Sequence, residues 1–270
     1  MRVLRRGSKG NEVKILQNLL GISVDGSFGP QTDREVRAYQ KSKGLVVDGS
    51  VGPATWGKLL GGEKPTVSKN TRYFTQGYAR VIACKPEDVS FIVANKKYNQ
   101  VTSPNITNGT FFWAGKPNGI LVNNGKTLWN DASHAWRGYG QGALYFDGKN
   151  LGVKKAKSAS ELGKVDWAIG GVTMIGGEGY HPSNEGFNGK YADVLRTTAK
   201  TVIAVKGGEV HLLTFGSISH SSLLKHLRSY GYELAVSLDG GGSTSMRYGG
   251  KVKRTPTDKG RVINNWVVMK

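Results

Sequence analysis

The sequence predicts an α+β chain in two parts: a small three-helix bundle module, then a larger mixed α+β domain with a curved, mostly antiparallel sheet. Three observations carry this expectation. A short motif occurs twice within residues 1–60. From residue 72 onward, short apolar runs alternate with glycine-rich turns. The 39 glycines among 270 residues supply the many tight turns that sheet-rich folds use.

The repeated unit is "VDGSFGPQT" (24–32), echoed by "VDGSVGPAT" (47–55). Asp-Gly makes a tight turn. Gly-Pro then opens a helix, with Pro30 and Pro53 suited to its first position. Thr32 and Glu35 are spaced as a capping box. The segment "NEVKILQNLL" sets Val13, Leu16 and Leu20 on one helical face, and "DREVRAYQKSKG" sets Val36 and Tyr39 together. A third short helix carries Trp56, Leu59 and Leu60. These residues define a module over 1–62, and "GGEKPTVSKNT" breaks all periodicity, giving a linker over 63–71.

Residues 72–270 read as strands: "VSFIVAN", "GILVNNG", "GALYFDGKN", "DWAIGGVTMI", "TVIAVKGGEVHLLTF", "YELAVSL" and "NNWVVMK". "FDGK" and "KGGE" are hairpin turns. One helix fits "SHSSLLKHLRSY" (219–230), with Leu223, Leu224 and Leu227 inward and Gly231 as its stop. Trp167 and Trp266 are expected in the core, while Trp113, Trp129, Trp136 and Tyr139 lie in loop-like sequence where they could pack or stack on a sugar.

The net charge of +19 predicts attraction to polyanions, and only +5 of it lies in residues 1–62. No block of like charge resembles a nucleic-acid tail, so nucleic acid ranks last among partners. No apolar run reaches membrane-span length, and the basic start "MRVLRRGSKGNEVKIL" lacks a signal peptide's apolar segment. One cysteine, Cys84, excludes an internal disulfide; its apolar setting "RVIACKPED" favours a buried thiol over a nucleophile. No His/Cys/Asp/Glu group has metal-ligand spacing, so neither metal nor cofactor is expected.

The chemistry centres on "SLDGGGSTSM" (237–246). A strand delivers Asp239, and Gly240, Gly241 and Gly242 bare consecutive backbone N–H groups in a nest suited to phosphate. Ser243 and Thr244 add hydroxyls. No Gly-Lys-Ser/Thr follows, which excludes a Walker loop. Taken alone, the stretch is as well explained by a structural turn. Four others accompany it: "NITNGTFFW" with Asn108, "AIGGVTMIGGEG" with Glu178, "LRTTAKTVIAV" with Arg196, and "TPTDKGRVINNWVVM" with Arg261.

Two resemblances follow from these motifs. Residues 3–60, with both "VDGxxGPxT" copies, resemble the peptidoglycan-binding domain appended to many cell-wall hydrolases. Residues 72–270, with "NGTFF", "AIGG", "RTTAK", the 219–230 helix, "SLDGGGS" and Arg261 in order, resemble the phosphodiester glycosidase family. Lys200 stands where that family commonly has Gly. The second resemblance implies hydrolysis of a sugar–O–phosphate bond at the anomeric carbon. It makes Asp239 the candidate carboxylate, with Glu178 a second and Asn108 orienting a sugar substituent. Arg196 and Arg261 would clamp the phosphate with help from the glycine N–H groups, Ser243 and Thr244. His181, near Glu178, is a candidate proton carrier, although a surface His is the commoner case. Together the two parts imply a monomeric wall-lytic enzyme resembling a phage endolysin. It would be made in the host cytoplasm without a signal peptide and reach peptidoglycan and anionic polymers such as teichoic acid through a separate holin-type pore. The alternatives are a bacterial wall-remodelling hydrolase and a non-catalytic wall-polysaccharide binder.

Overall fold

The computed structural model describes residues 3–20, 22, 25–59, 70–130, 140–176, 192–258 and 260–270. The chain forms two compact units, Met1–Thr66 and Val67–Lys270. Among the described residues, no helix is long and apolar enough to cross a membrane.

The first unit holds α1 (Asn11–Leu20), α2 (Pro30–Ser42) and α3 (Pro53–Leu59). They converge on one core of Leu4, Val13, Leu16, Phe28, Val36, Val51, Trp56 and Leu59, with Leu20 and Tyr39 packed against it. Leu60 falls outside the described residues. Both prolines open their helices, where a missing N–H costs nothing. The expected capping box does not form. Gly29 is the N-cap of α2 and makes no side-chain cap. Thr32 turns inward instead and accepts from the Gln17 amide.

That amide explains the repeat. Gln17 Nε2 donates to Asp25 Oδ1 (2.6 Å), Ser27 O (3.0 Å) and Thr32 Oγ1 (3.2 Å), while its Oε1 accepts from Gly26 N (2.8 Å). Gln40 repeats every contact one unit later, with Asp48 (2.8 Å), Ser50 O (3.0 Å), Thr55 (3.2 Å) and Gly49 N (2.9 Å). Each buried glutamine thus fastens a turn to the helix before it and the helix after it. Hydrogen bonding, first to Gln17 and then to Ser27 N, holds the Asp25 carboxyl below its ordinary range. For Asp48 the Ser50 N–H leads and Gln40 follows.

The second unit contains β1 (Arg72–Gln76), β2 (Ala79–Cys84), β3 (Val89–Lys97), β4 (Ile106–Asn108), β5 (Phe112–Trp113), β6 (Lys116–Pro117), β7 (Leu121–Asn123), β8 (Lys126–Trp129), β9 (Gln141–Phe146), β10 (Leu151–Ala156) and β11 (Trp167–Ile175). It continues with α4 (Ala192–Leu195), β12 (Thr198–Lys206), β13 (Glu209–Ile218), α5 (His220–Ser229), β14 (Leu234–Ser237), β15 (Met246–Tyr248), β16 (Lys251–Arg254) and β17 (Val262–Met269). The larger sheet runs β1-β2-β13-β12-β14-β11-β7-β8, with β9 also pairing with β11 and carrying β10. The smaller runs β16-β15-β4-β17-β3. The pairings among these described strands are antiparallel.

Strand alternation sorts the side chains into layers. In β2, Ile82 and Cys84 face a core shared with Phe91, Met246, Val267 and Met269 of the smaller sheet. Val81 faces away, joining Leu213, Phe215, Leu223 and Leu227 beneath α5. The hairpin at Gly207 (φ 58°) and Gly208 (φ 76°) has both central residues left-handed, as a two-residue type I′ turn requires. Ser219 caps α5 by accepting from Ser222 N, and Gly231 (φ 70°) follows its end. Trp167 and Trp266 are buried. Cys84 is buried, and the desolvation pushes its thiol far above its usual range, which removes it as a nucleophile at neutral pH.

One buried titratable group gives this unit a pH response. His211 Nδ1 lies 3.0 Å from Tyr232 Oη, which donates to Gln76 Oε1 at 2.9 Å. Glu209, itself paired with Arg72, lies 3.7 Å from Nε2. Burial outweighs that carboxylate and lowers the imidazole to about 4.

Two outcomes are expected. Gln17→Ala or Gln40→Ala strands a turn's buried donors and should cost the first unit roughly 2–4 kcal/mol. Hydrogen exchange should show that loss in residues 3–59 and leave the second unit unchanged. The unfolded chain protonates His211 near pH 6.5 and the folded chain only near 4, so stability falls as pH drops through that window, by up to about 3 kcal/mol. His211→Phe should flatten that segment of the Tm-versus-pH curve.

Candidate active site

The glycine loop joins the two sheets, since β14 belongs to the larger and β15 to the smaller. Its first residue, Asp239, is partly buried, and its backbone N–H donates to Gly109 O at 3.1 Å. Gly240 lies flat against β12, where a Cβ would sit 2.7 Å from Ala199 O. Gly241 adopts φ 57° and begins a single 3-10 turn, Gly241–Ser243. Ser243 and Thr244 use their N–H groups to close that turn, on Gly240 O and Gly241 O. The N–H groups of Gly240, Gly241 and Gly242 have no acceptor among the described residues.

Asn108 fastens the loop. It is fully buried at the end of β4. Its Oδ1 accepts from Thr201 Oγ1 (2.9 Å) and Ser245 N (3.0 Å), and its Nδ2 donates to Asp239 O (2.6 Å). One amide therefore grips both ends of the loop and the neighbouring strand β12. This corrects the expectation that Asn108 orients a sugar: its oxygen is already saturated and it has no exposed surface. Ser243 and Thr244 also differ from expectation. Their hydroxyls are buried and have no acceptor or donor among the described residues, so they do not line an open surface.

Arg261 does reach the loop. An added Cβ on Gly242 would meet Arg261 Nη1 at 3.2 Å and Thr257 Oγ1 at 3.5 Å. The guanidinium lies 5.6 Å from the centre of the Phe112 ring, which restrains it. Arg196 is exposed on the segment between α4 and β12. That segment is held by Lys200, a buried residue whose Nζ donates to Val194 O at 2.9 Å. Thr198, two residues past Arg196, places its Oγ1 3.6 Å from the Cβ position of Gly241. Glu178 and His181 lie outside the described residues, as do Trp136 and Tyr139, and the Trp113 side chain is likewise not described.

The two other glycine motifs are explained by close approach. A Cβ on Gly109 would collide with the Asn265 amide oxygen; on Gly170 with Gln141 Oε1; on Gly171 with Ser237 O. Gln141 is itself buried and binds Ile120 N at 2.8 Å. Thr110 Oγ1 donates to Gly170 O at 2.5 Å. Thus β11 is stripped of side chains where β14 and the Asn108 turn press against it. Thr201, Ser245, Asn265 and Gln141 escaped sequence reasoning. For Thr201, Gln141 and Asn265, only an amide or hydroxyl inside an apolar strand hints at them.

Comparison with known proteins places the chain's two parts in known families. The family model described as phosphodiester glycosidase matches residues 90–270, and that described as putative peptidoglycan binding domain matches residues 9–59. No curated protein matches the sequence. Among solved structures, the catalytic domain of zebrafish N-acetylglucosamine-1-phosphodiester alpha-N-acetylglucosaminidase, auto-inhibited by its pro-peptide, aligns with TM-score 0.55 and 13% identity over 74% of this chain and 81% of that one. A hypothetical protein from Synechocystis aligns with TM-score 0.51 and 12% identity over 73% and 61%. At these identities the likeness is one of fold. A peptidoglycan-binding protein from Clostridioides difficile, solved with glutamine hydroxamate, shares 44% identity over 22% of this chain and 40% of its own, with TM-score 0.21. The N-terminal unit carries a peptidoglycan-binding domain, and the chain belongs to the phosphodiester glycosidase family.

Proposed function

We propose that the protein is a bacterial cell-wall hydrolase whose first unit holds peptidoglycan while the second cleaves a sugar–phosphodiester bond at the anomeric carbon. The observation that carries this reading is the meeting, at one loop, of Asp239, the unused glycine N–H groups and the Arg261 guanidinium. In the reaction, a water oxygen bonds to the anomeric carbon as its bond to the phosphate oxygen breaks. The phosphomonoester leaves with the electron pair, and Asp239 takes the proton of the water. Phosphate is a weakly basic leaving group, so it needs less acid assistance than an ordinary aglycone. The charge it acquires is offset by Arg261 and by the N–H groups of Gly240, Gly241 and Gly242. Arg196 would add a second cation from the strand lead-in, and Glu178 and His181 a second carboxylate and a proton carrier.

A lytic role, as in a phage endolysin, is the finer part of this proposal. It is supported by the pairing of a peptidoglycan-binding domain with a glycosidase-family domain. A net charge of +19 would concentrate the enzyme on anionic wall polymers such as teichoic acid, more at low salt than at high.

Mass spectrometry of material released from purified walls, with and without teichoic acid, should find new reducing sugar ends matched by phosphomonoesters. Asp239→Asn should slow that release by about 10²–10⁴-fold while wall binding persists; unchanged release would identify a binding protein instead. Arg261→Gln should lower kcat by about 10²–10³-fold. Asn108→Ala should lower kcat as well, together with a stability loss of roughly 2–4 kcal/mol read from chemical denaturation, because it frees both loop ends.

A further inference from the structure

A second cluster of cations lies on the same side of the larger sheet as the glycine loop. Arg80, in β2, stands opposite Thr214 of β13, which stands opposite Thr201 of β12. Residues directly opposite in antiparallel strands share a face. Thr201 binds Asn108, so this row runs from the loop's anchor to Arg80 across two strand spacings, about 10 Å. The smaller sheet reaches the same rim. Thr214 Oγ1 touches Met246 Sδ at 3.8 Å, and Met246 is paired with Arg254. Arg80 and Arg254 therefore come from different sheets to one cleft of about 450 Å³, completed by Val252, Lys253 and Thr255.

This cleft is electrostatically incomplete. Among the described residues, no carboxylate lines it. Arg254 Nε is buried and has no hydrogen-bond partner. Neither Arg80 nor Arg254 forms a salt bridge among the described residues, whereas Arg37 and Arg72 both do. Burial, and then repulsion from Arg80, hold Arg254 below its ordinary range. Lys253 is steadied over the Tyr73 ring, 4.3 Å from Nζ to its centre. Holding like charges together at a partly buried rim, with donors unfilled, costs folding free energy that an entering anion returns. Arg80 also lines a second groove, of about 900 Å³, with Tyr78, Lys225 and Tyr230. Arg80 precedes the family match, which begins at residue 90.

We propose that Arg80, Lys253 and Arg254 form an accessory anion subsite that holds a neighbouring phosphodiester of a polyanionic wall polymer while the glycine loop engages the scissile one. This rests on the function proposed above only for which polymer is bound, not for the cleft's affinity for phosphate.

The test is calorimetric titration of the full chain at low salt with inorganic phosphate, with a short poly(glycerol phosphate) oligomer, and with a DNA oligomer of equal charge. The R80Q/R254Q variant should bind the poly(glycerol phosphate) at least tenfold more weakly, with the salt slope reduced by about two. Its Tm should be unchanged or raised, since it relieves repulsion, and turnover of a monomeric sugar phosphodiester should be retained. R80K/R254K should recover most of the binding. Inorganic phosphate should bind wild type more tightly than R80Q/R254Q; equal binding overturns the subsite. Unchanged oligomer binding in R80Q/R254Q overturns it too, as does a parallel loss of monomer turnover, which would merge the cluster with the catalytic site. DNA binding as tight and as sensitive to R80Q/R254Q shows a general polyanion strip and overturns the wall-polymer assignment. D239N binding the oligomer normally supports the subsite. Absence of hydrolysis by wild type alongside R80Q/R254Q-sensitive binding would sink the catalytic reading and leave the subsite standing.

Discussion

The candidate site depends on a single buried amide. Asn108, at the end of a strand of the smaller sheet, joins the carbonyl of Asp239 and the N–H of Ser245, at the two ends of the loop, to the hydroxyl of Thr201 in the larger sheet. A loop with three consecutive glycines has the largest conformational entropy a chain can offer, and ordering it is correspondingly costly. By holding the loop at both ends, the amide leaves only a short span free and sets that span as a 3-10 turn. The direction in which the glycine N–H groups point then follows from the sheets, which are rigid, and not from the loop, which is not.

The two glycine pairs elsewhere serve the same end from the other side. Gly171 admits the carbonyl of Ser237, the last residue of β14, and Gly109 admits the Asn265 amide. Side chains at either position would push the strand that delivers Asp239 or the turn that follows Asn108. The motifs that mark the family are thus mostly about how closely backbones approach. The groups to which the proposed function gives a substrate contact are fewer: Asp239, the loop N–H groups and Arg261.

The sequence made much of this legible, for reasons that differ by element. Hairpins at 147–150 and 206–209 were readable because their turns demand glycine or Asp locally. The helix at His220–Ser229 was readable because its apolar spacing, serine cap and glycine stop all agree. The loop was readable because glycine triplets are rare without cause. What failed was any inference needing the partner of a polar side chain. Thr32 has the spacing of a cap, yet Gln17 claims it across fifteen residues of sequence. Asn108 has the sequence setting expected of a sugar contact, yet Thr201 and Ser245, 93 and 137 residues away, occupy its oxygen. Arg80 gave no signal at all, because it acquires meaning only when β2 and β16 reach the same rim. Local rules govern turns and caps; long-range pairing decides which polar groups are left over for chemistry.

The lone thiol has a practical consequence. Cys84 is enclosed in β2 and desolvation raises its thiol pKa, so the folded chain should not react with sulfhydryl reagents. Any surface position can therefore be given a unique reporter by a single exchange to cysteine, without first removing the natural one. Tyr78, 84% exposed beside the Arg80 groove, is a convenient address for a fluorophore or spin label that would register polymer as it arrives.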